Sequence, residues 1–312
     1  MLGVGVDIGG TSVKIGLVNN EGKILDKITF ETPKKFYELV NLICDNVDLI
    51  LRKANLLTTD ICGIGVGCPG LIDNNGVIIS SSNFLFENAP LKQELSKRFN
   101  INIIVCNDAN ASTLAEKEFG VAKEYKNAIL LTVGTGVGGG IILNDKLFNG
   151  ADGSGVELGH FTLKFNGKKC GCGRKGCLEQ YASANALIKQ TKELMLRNKQ
   201  SVLWEIVSND INNVKGKTAF DGAKMGDETA IRIIDRYVKY LSNGIMSLFN
   251  VYRPEIFIIG GGLSAQGRYL TDKIYDYCKK YYFGYKGVKP PIITSALLGN
   301  DAGIIGAYSL VK

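Results

Sequence analysis

The feature that most constrains this chain is a strand, glycine-turn, strand unit that occurs twice, roughly 125 residues apart. In the first copy the β-branched run 2–7 passes through Asp7-Ile8-Gly9-Gly10-Thr11 into the apolar run 12–18. In the second, 128–133 passes through Gly134-Thr135-Gly136-Val137-Gly138-Gly139-Gly140 into a strand over 141–143. A third strand over 24–30, set off by Asn19-Asn20-Glu21-Gly22, completes an antiparallel meander in the first copy. Each copy is followed by a buried strand that ends in small residues. These are 61–66 before Gly67-Cys68-Pro69-Gly70, and 256–259 before Gly260-Gly261-Gly262. Another strand, 101–106, runs into Asn107-Asp108 and a helix over about 109–119. Thr32 offers an N-cap with Pro33 at the first position of an amphipathic helix reaching Ala54, and Asp227 opens a long one. The last helix covers about 301–310. The pattern predicts an α/β protein of two lobes around a central cleft. The smaller lobe is 1–118 completed by about 298–312, and the larger is 119–297.

Both glycine turns place small residues and a hydroxyl where backbone N–H groups can approach phosphate oxygens, although glycine also serves simply to make tight hairpins. Gly134, Gly136 and Gly139 satisfy G-x-G-x-x-G, but a strand follows where a dinucleotide-binding unit needs a helix. Gly216-Lys217-Thr218 resembles the end of a P-loop, yet Ile211 stands where its first glycine belongs.

Composition narrows the partners. The 312 residues are 45% hydrophobic and 21% charged, and no apolar run approaches the roughly 20 residues of a membrane span. Net charge is +7, but the charges alternate in sign, so neither a nucleic-acid footprint nor a membrane partner is expected. No secretory signal is read at the start, which leads to an expected cytoplasmic location. Cys44, Cys62, Cys68, Cys106 and Cys278 sit singly as small buried hydrophobes. Cys170, Cys172 and Cys177 instead share one glycine-rich loop, and the sole histidine, His160, lies just upstream. Three Cys and one His make a closed zinc set; the odd count disfavours a disulfide. With four protein ligands the ion has no open position, so its role is structural.

Taken together, these motifs resemble the ROK sugar kinases and repressors of the actin-like, hexokinase-like ATPase superfamily. Asp7-Ile8-Gly9-Gly10-Thr11 looks like the first phosphate motif and Asn107-Asp108 the catalytic pair. The stretch 131–140 with Gly150 is similar to the signature region. Glu157-Leu158-Gly159-His160, and Cys170 to Cys177 followed by Leu178-Glu179, are similar to the sugar and zinc motifs. The resemblance implies two ribonuclease H-like lobes, a homodimer or homotetramer, and ATP-dependent phosphorylation of a hexose with Mg2+ on the nucleotide. It implies Asp108 as general base, with Asn83, Asn107, Asp108, Glu157, His160 and Glu179 on the sugar. Gly9, Gly10, Thr11, Gly134, Thr135 and Gly136 would meet phosphates, Gly260, Gly261 and Gly262 the adenosine, and Asp7 the Mg2+. His160 would serve both zinc and sugar, one ring nitrogen each. The form of the zinc motif favours glucose or N-acetylhexosamine over fructose, with glucose leading and N-acetylmannosamine or N-acetylglucosamine the alternative. Asn83 is followed by Phe84-Leu85-Phe86-Glu87 instead of the Leu-Pro-Gly-Trp-like stretch of many ROK glucokinases. A repressor of this family would add a DNA-binding winged helix ahead of the first strand, and no basic recognition helix is read here.

Overall fold

The computed structural model describes residues 1–81, 86–284 and 287–312. In chain order the first elements are β1 (Leu2–Ile8), β2 (Ser12–Val18), β3 (Ile24–Glu31), α1 (Phe36–Lys53) and β4 (Ile61–Cys68). The hairpin β5 (Leu71–Ile72) and β6 (Ile78–Ser80), α2 (Leu91–Ser96), β7 (Ile103–Asn107) and α3 (Asp108–Glu118) follow. Then come β8 (Ala128–Val133), β9 (Val137–Leu143), β10 (Lys146–Leu147), α4 (Glu179–Ala182), α5 (Ala184–Arg197) and α6 (Leu203–Ile206). The chain ends with α7 (Thr218–Lys224), α8 (Glu228–Tyr252), β11 (Ile256–Gly260), α9 (Arg268–Tyr281), β12 (Ile292–Ser295) and α10 (Ala302–Ser309).

The two five-stranded sheets carry the duplication into three dimensions. Their orders, β3-β2-β1-β4-β7 and β10-β9-β8-β11-β12, are the same connectivity written twice. In the first, β1, β2 and β3 form the antiparallel meander while β4 and β7 add in parallel; in the second, β12 adds in parallel to β11. The chain packs as two units. Unit 1 is Met1–Ala128, Gly140–Val156 and Leu297–Lys312; unit 2 is Ile129–Gly139 and Glu157–Ala296.

In unit 1 the apolar face of α1, with Leu39, Val40, Ile43, Val47, Ile50 and Leu51 buried, covers Val4, Val6, Ile15 and Leu17 of the meander. The other face is covered by α10, and glycine allows the approach. A Cβ on Gly5 would overlap the carbonyl oxygen of Ile304, and one on Gly65 that of Ala307. Gly306 in turn lets α10 close on Ala111 of α3. Because these obstacles are backbone, they cannot rotate away. Gly65→Ala is therefore expected to cost about 3 kcal/mol, at the upper end of overpacking. Gly262→Ala, whose Cβ would meet nothing within 4 Å, should stay within about 0.5 kcal/mol. Urea unfolding of both variants checks the contrast. The entry to α10 is held by Glu116 of α3, fully buried, whose Oε1 accepts from Leu297 N at 2.8 Å and Leu298 N at 2.9 Å.

One expected helix start is corrected. α1 begins at Phe36, not Pro33, because Thr32 is engaged by the first glycine turn: its Oγ1 donates to Gly9 O at 2.7 Å and its N to Thr11 O. α3 is capped by Asn107, whose Oδ1 accepts from Ala109 N and Asn110 N. The long helix does start as expected, with Asp227 accepting from Ala230 N at 2.7 Å. No described helix is long and apolar enough to cross a membrane.

Candidate active site

Parallel strands present their carboxyl ends on one edge of a sheet, and in unit 1 that edge carries the acids. Asp7 pairs with Gly67 across β1 and β4, and Cys68 with Asn107 across β4 and β7, so Asp7 and Asn107-Asp108 lie at the same end of adjacent strands. Asp108 opens the eleven-residue helix α3, whose N-terminal dipole favours an ionised carboxylate. Its Oδ1 accepts from Ala109 N at 2.9 Å. Asn107 uses its Oδ1 for the cap and donates Nδ2 to Gly70 O at 3.1 Å, which fixes the strand-to-helix corner.

The Asp7 carboxylate is mostly buried and lies against Gly303 at the start of α10, where a Cβ would strike it. Burial pushes its pKa up, Lys14 opposes with a contact at 3.3 Å, and the charge of Asp301 adds to the rise. Such an acid gains from a further cation, so the donor chemistry fits Mg2+. Lys14, which also donates to Asn300 O, went unmarked in the sequence because one lysine on a strand carries no pattern of its own. Gly9, Gly10 and Thr11 form the β1–β2 turn, closed by Gly9 N donating to Ser12 O at 2.9 Å. The thiols of Cys68 and Cys106 flank this edge. Burial and then the Asp108 charge push Cys106 up to about 12, and Cys68 is raised in the same way. Both are expected to resist iodoacetamide at pH 8 in the folded protein and to react on unfolding, as peptide mass mapping would read.

In unit 2 the second glycine turn is shorter than expected. β9 starts at Val137, so Gly138, Gly139 and Gly140 belong to the strand and only Gly134, Thr135 and Gly136 turn. Gly139 is required there because a Cβ would stand 2.6 Å from Leu130 O. Ala184 N donates to Gly134 O, and Val137 N to Glu179 Oε2 at 3.1 Å. Glu179 thus supports the turn, with Gly136 leaving room for its carboxylate. The Gly260-Gly261-Gly262 segment lies beside this turn: a Cβ on Gly261, whose φ is +74°, would stand 2.7 Å from Val133 O. Two of the three glycine segments expected at the nucleotide, 134–136 and 260–262, are therefore neighbours in unit 2.

Glu157, His160 and Glu179 also converge in unit 2. His160 N donates to Glu157 O, Glu179 N to Gly159 O, and His160 Nε2 is 3.9 Å from Glu157 Oε2. The other ring nitrogen, Nδ1, is 3.6 Å from Cys170 Sγ, and Cys172 Sγ is 3.7 Å from Cys177 Sγ. The four donor atoms lie within 4.8 Å of one another. A tetrahedron with Zn–S of about 2.3 Å and Zn–N of about 2.05 Å has edges of about 3.8 Å and 3.6 Å, so this set fits zinc. Gly173 and Gly176, at φ +87° and +80°, make the knuckle turns, and Gln180 Nε2 donates to Cys170 Sγ. Gln180 had no sequence signal beyond following Glu179. Asn83 lies outside the described residues.

Duplicated sheets with acids at the ends of parallel strands and paired glycine turns are the arrangement expected of an actin-like ATPase fold, and the comparisons with known proteins place the chain among sugar kinases of that fold. The ROK family pattern matches residues 3–312. The glucokinase of Thermotoga maritima is 37% identical, covering 99% of this chain and 96% of that one. A crystal structure of a Streptomyces griseus ROK glucokinase in complex with glucose and AMPPNP superposes with a TM-score of 0.85, at 31% identity and 99% coverage of both chains. A xylose repressor of Caldicellulosiruptor bescii is 31% identical over 87% of this chain but only 68% of its own. The chain belongs to the ROK family.

Proposed function

We propose that this protein is a glucokinase that transfers the γ-phosphate of ATP to the 6-hydroxyl of glucose, with Asp108 as general base. The observation that carries this reading is the placement of Asp108 at the head of α3 beside Asp7, on the carboxyl edge of β1, β4 and β7. Its likeness over the full chain to glucokinases, one of them with glucose and AMPPNP, supports the choice of sugar and donor.

The Asp108 carboxylate accepts the proton of the attacking hydroxyl as the O6–phosphorus bond forms and the bond from phosphorus to the bridging oxygen breaks, releasing ADP. Asn107, Glu157, His160 and Glu179, with Asn83, orient the ring hydroxyls, for which acids, amides and an imidazole are suited donors and acceptors. Backbone N–H groups of Gly10, Thr11, Thr135 and Gly136 bind phosphate oxygens, while Gly9 and Gly134, whose N–H groups close the two turns onto Ser12 O and Gly136 O, line the phosphates without a Cβ in the way, and Gly260, Gly261 and Gly262 pass the adenosine. Asp7 would hold Mg2+ through water, and the ion would supply positive charge against the phosphates. His160, Cys170, Cys172 and Cys177 would hold a structural zinc, leaving His160 Nε2 for the sugar. Thiolate ligands require a reducing compartment, in keeping with the cytoplasm.

The test is coupled ADP release with MgATP against glucose, N-acetylmannosamine, N-acetylglucosamine, mannose, fructose and allose. The highest kcat/KM is expected on glucose. An N-acetylhexosamine preferred over glucose would replace the substrate, and silence on every sugar by zinc-loaded protein would overturn the kinase.

A further inference from the structure

Asn110 sits in the first turn of α3, two residues past Asp108, and is 1% exposed. Its Nδ2 donates to Asn149 Oδ1 at 3.2 Å, whereas its own Oδ1 is buried with no hydrogen-bond partner. Native structures keep few such orphaned acceptors, because an unpaired buried amide oxygen forfeits its hydration.

The segment that begins at Asn149 is built around this side chain. Gly150, Gly153 and Gly155 have φ of +71°, +84° and +84°, and Gly155 N donates to Asn149 O at 3.0 Å. A Cβ on Gly155 would stand 2.6 Å from Asn110 Nδ2, and one on Gly140 would stand 3.0 Å from Oδ1. Glycine at both positions lets backbone lie directly on the amide. On the other flank Asn74 N, in the turn between β5 and β6, donates to Asp152 O at 3.1 Å. The segment ends at Val156, the residue covalently before Glu157.

We propose that Asn110 is a positioning residue for sugar binding. Its Nδ2 seats the 149–156 loop on the base-bearing helix through Asn149, and its Oδ1 accepts a backbone N–H of that loop when sugar is bound. An acceptor unpaired without sugar and paired with it raises the free energy of the free state relative to the bound one, which is the differential a ligand needs to tighten the loop. The effect on sugar affinity rests on the kinase reading; the seating of the loop does not.

The test combines steady-state kinetics with hydrogen exchange of the peptide covering 149–156, on full-length zinc-loaded protein with and without glucose. Glucose is expected to slow exchange of the loop about tenfold in the natural protein, the scale of one hydrogen bond. Asn110→Ala and Asn149→Ala should lose this slowing and raise KM for glucose about tenfold, with kcat and KM for ATP within about twofold. Asn149→Asp keeps the acceptor for Asn110 Nδ2 and should restore both readouts. An equal rise in both KM values, or an unchanged KM for glucose in Asn110→Ala, overturns the proposal. If the natural protein turns over no sugar, the kinase reading fails by itself, and exchange without sugar decides. Loop exchange about tenfold faster in Asn110→Ala supports the seating, and unchanged exchange overturns it.

Discussion

Asp108→Asn is expected to lower kcat on glucose by about a thousandfold, within the usual range for removing a general base, while leaving the fold almost untouched. The separation is possible because Asn107, not Asp108, caps α3. The amide oxygen of the substituted side chain can still accept from Ala109 N, as Asp108 Oδ1 does at 2.9 Å. What is lost structurally is one negative charge at a helix N-terminus, worth about 0.3–1 kcal/mol. Steady-state kinetics and a thermal melt on the same preparation check both halves. A variant that retains more than a tenth of its kcat would remove Asp108 from the role of base, and one that melts far below the natural protein would show that Asp108 also holds the fold. Asn107→Ala provides the converse, with an expected loss of about 1 kcal/mol from the missing cap.

Removal of the metal is the second large effect. One zinc per chain is expected, and stripping it with a strong chelator should loosen the knuckle, because three like thiolates are then left facing one another and mainly short-range backbone hydrogen bonds, such as Cys170 N to Arg174 O and Gly176 N to Lys168 O, hold the Cys170 to Cys177 segment. Arg174 and Lys175 are exposed on this segment and Lys168 and Lys169 just before it, so trypsin reads the change directly. Zinc-loaded protein should resist cleavage there, and stripped protein should be cut within minutes. The same loss releases His160 and the segment that carries Glu179, whose Oε2 accepts from Val137 N beside the Gly134-Thr135-Gly136 turn. KM should therefore rise for both glucose and ATP. Cys172→Ser should reproduce the stripped state, and added zinc should not rescue it. Protein that resists trypsin equally with and without metal would deny zinc a structural role.

Much of this architecture was legible because it is written in local patterns. The β1–β2–β3 meander follows from β-branched runs separated by Gly9-Gly10 and Asn19 to Gly22, and α8 from an Asp cap before a long amphipathic repeat. The metal set was legible because three thiols crowd one short loop. The misplaced boundaries share a cause. At Thr32 a competing hydrogen bond to Gly9 O won over the local capping signal, and at Val137 cross-strand pairing absorbed glycines that local propensity assigns to a turn. Lys14, Asn110 and Glu116 carried no signal, since each acts on a segment distant in the chain: Asn300, Asn149 and Leu297.

The sequence by itself determined the duplicated strand programme, the acids and glycines at strand ends, and the Cys/His set that fits zinc, because residue type and short spacing suffice for these. Only the tertiary structure decided that Asn107 caps α3, that Glu179 supports the second glycine turn, and that glycines 5, 65 and 306 admit α10 against the sheet and α3. Those are contacts between segments far apart in the chain, whose geometry is set by packing and by the need to pair every buried polar group, and neither leaves a local mark.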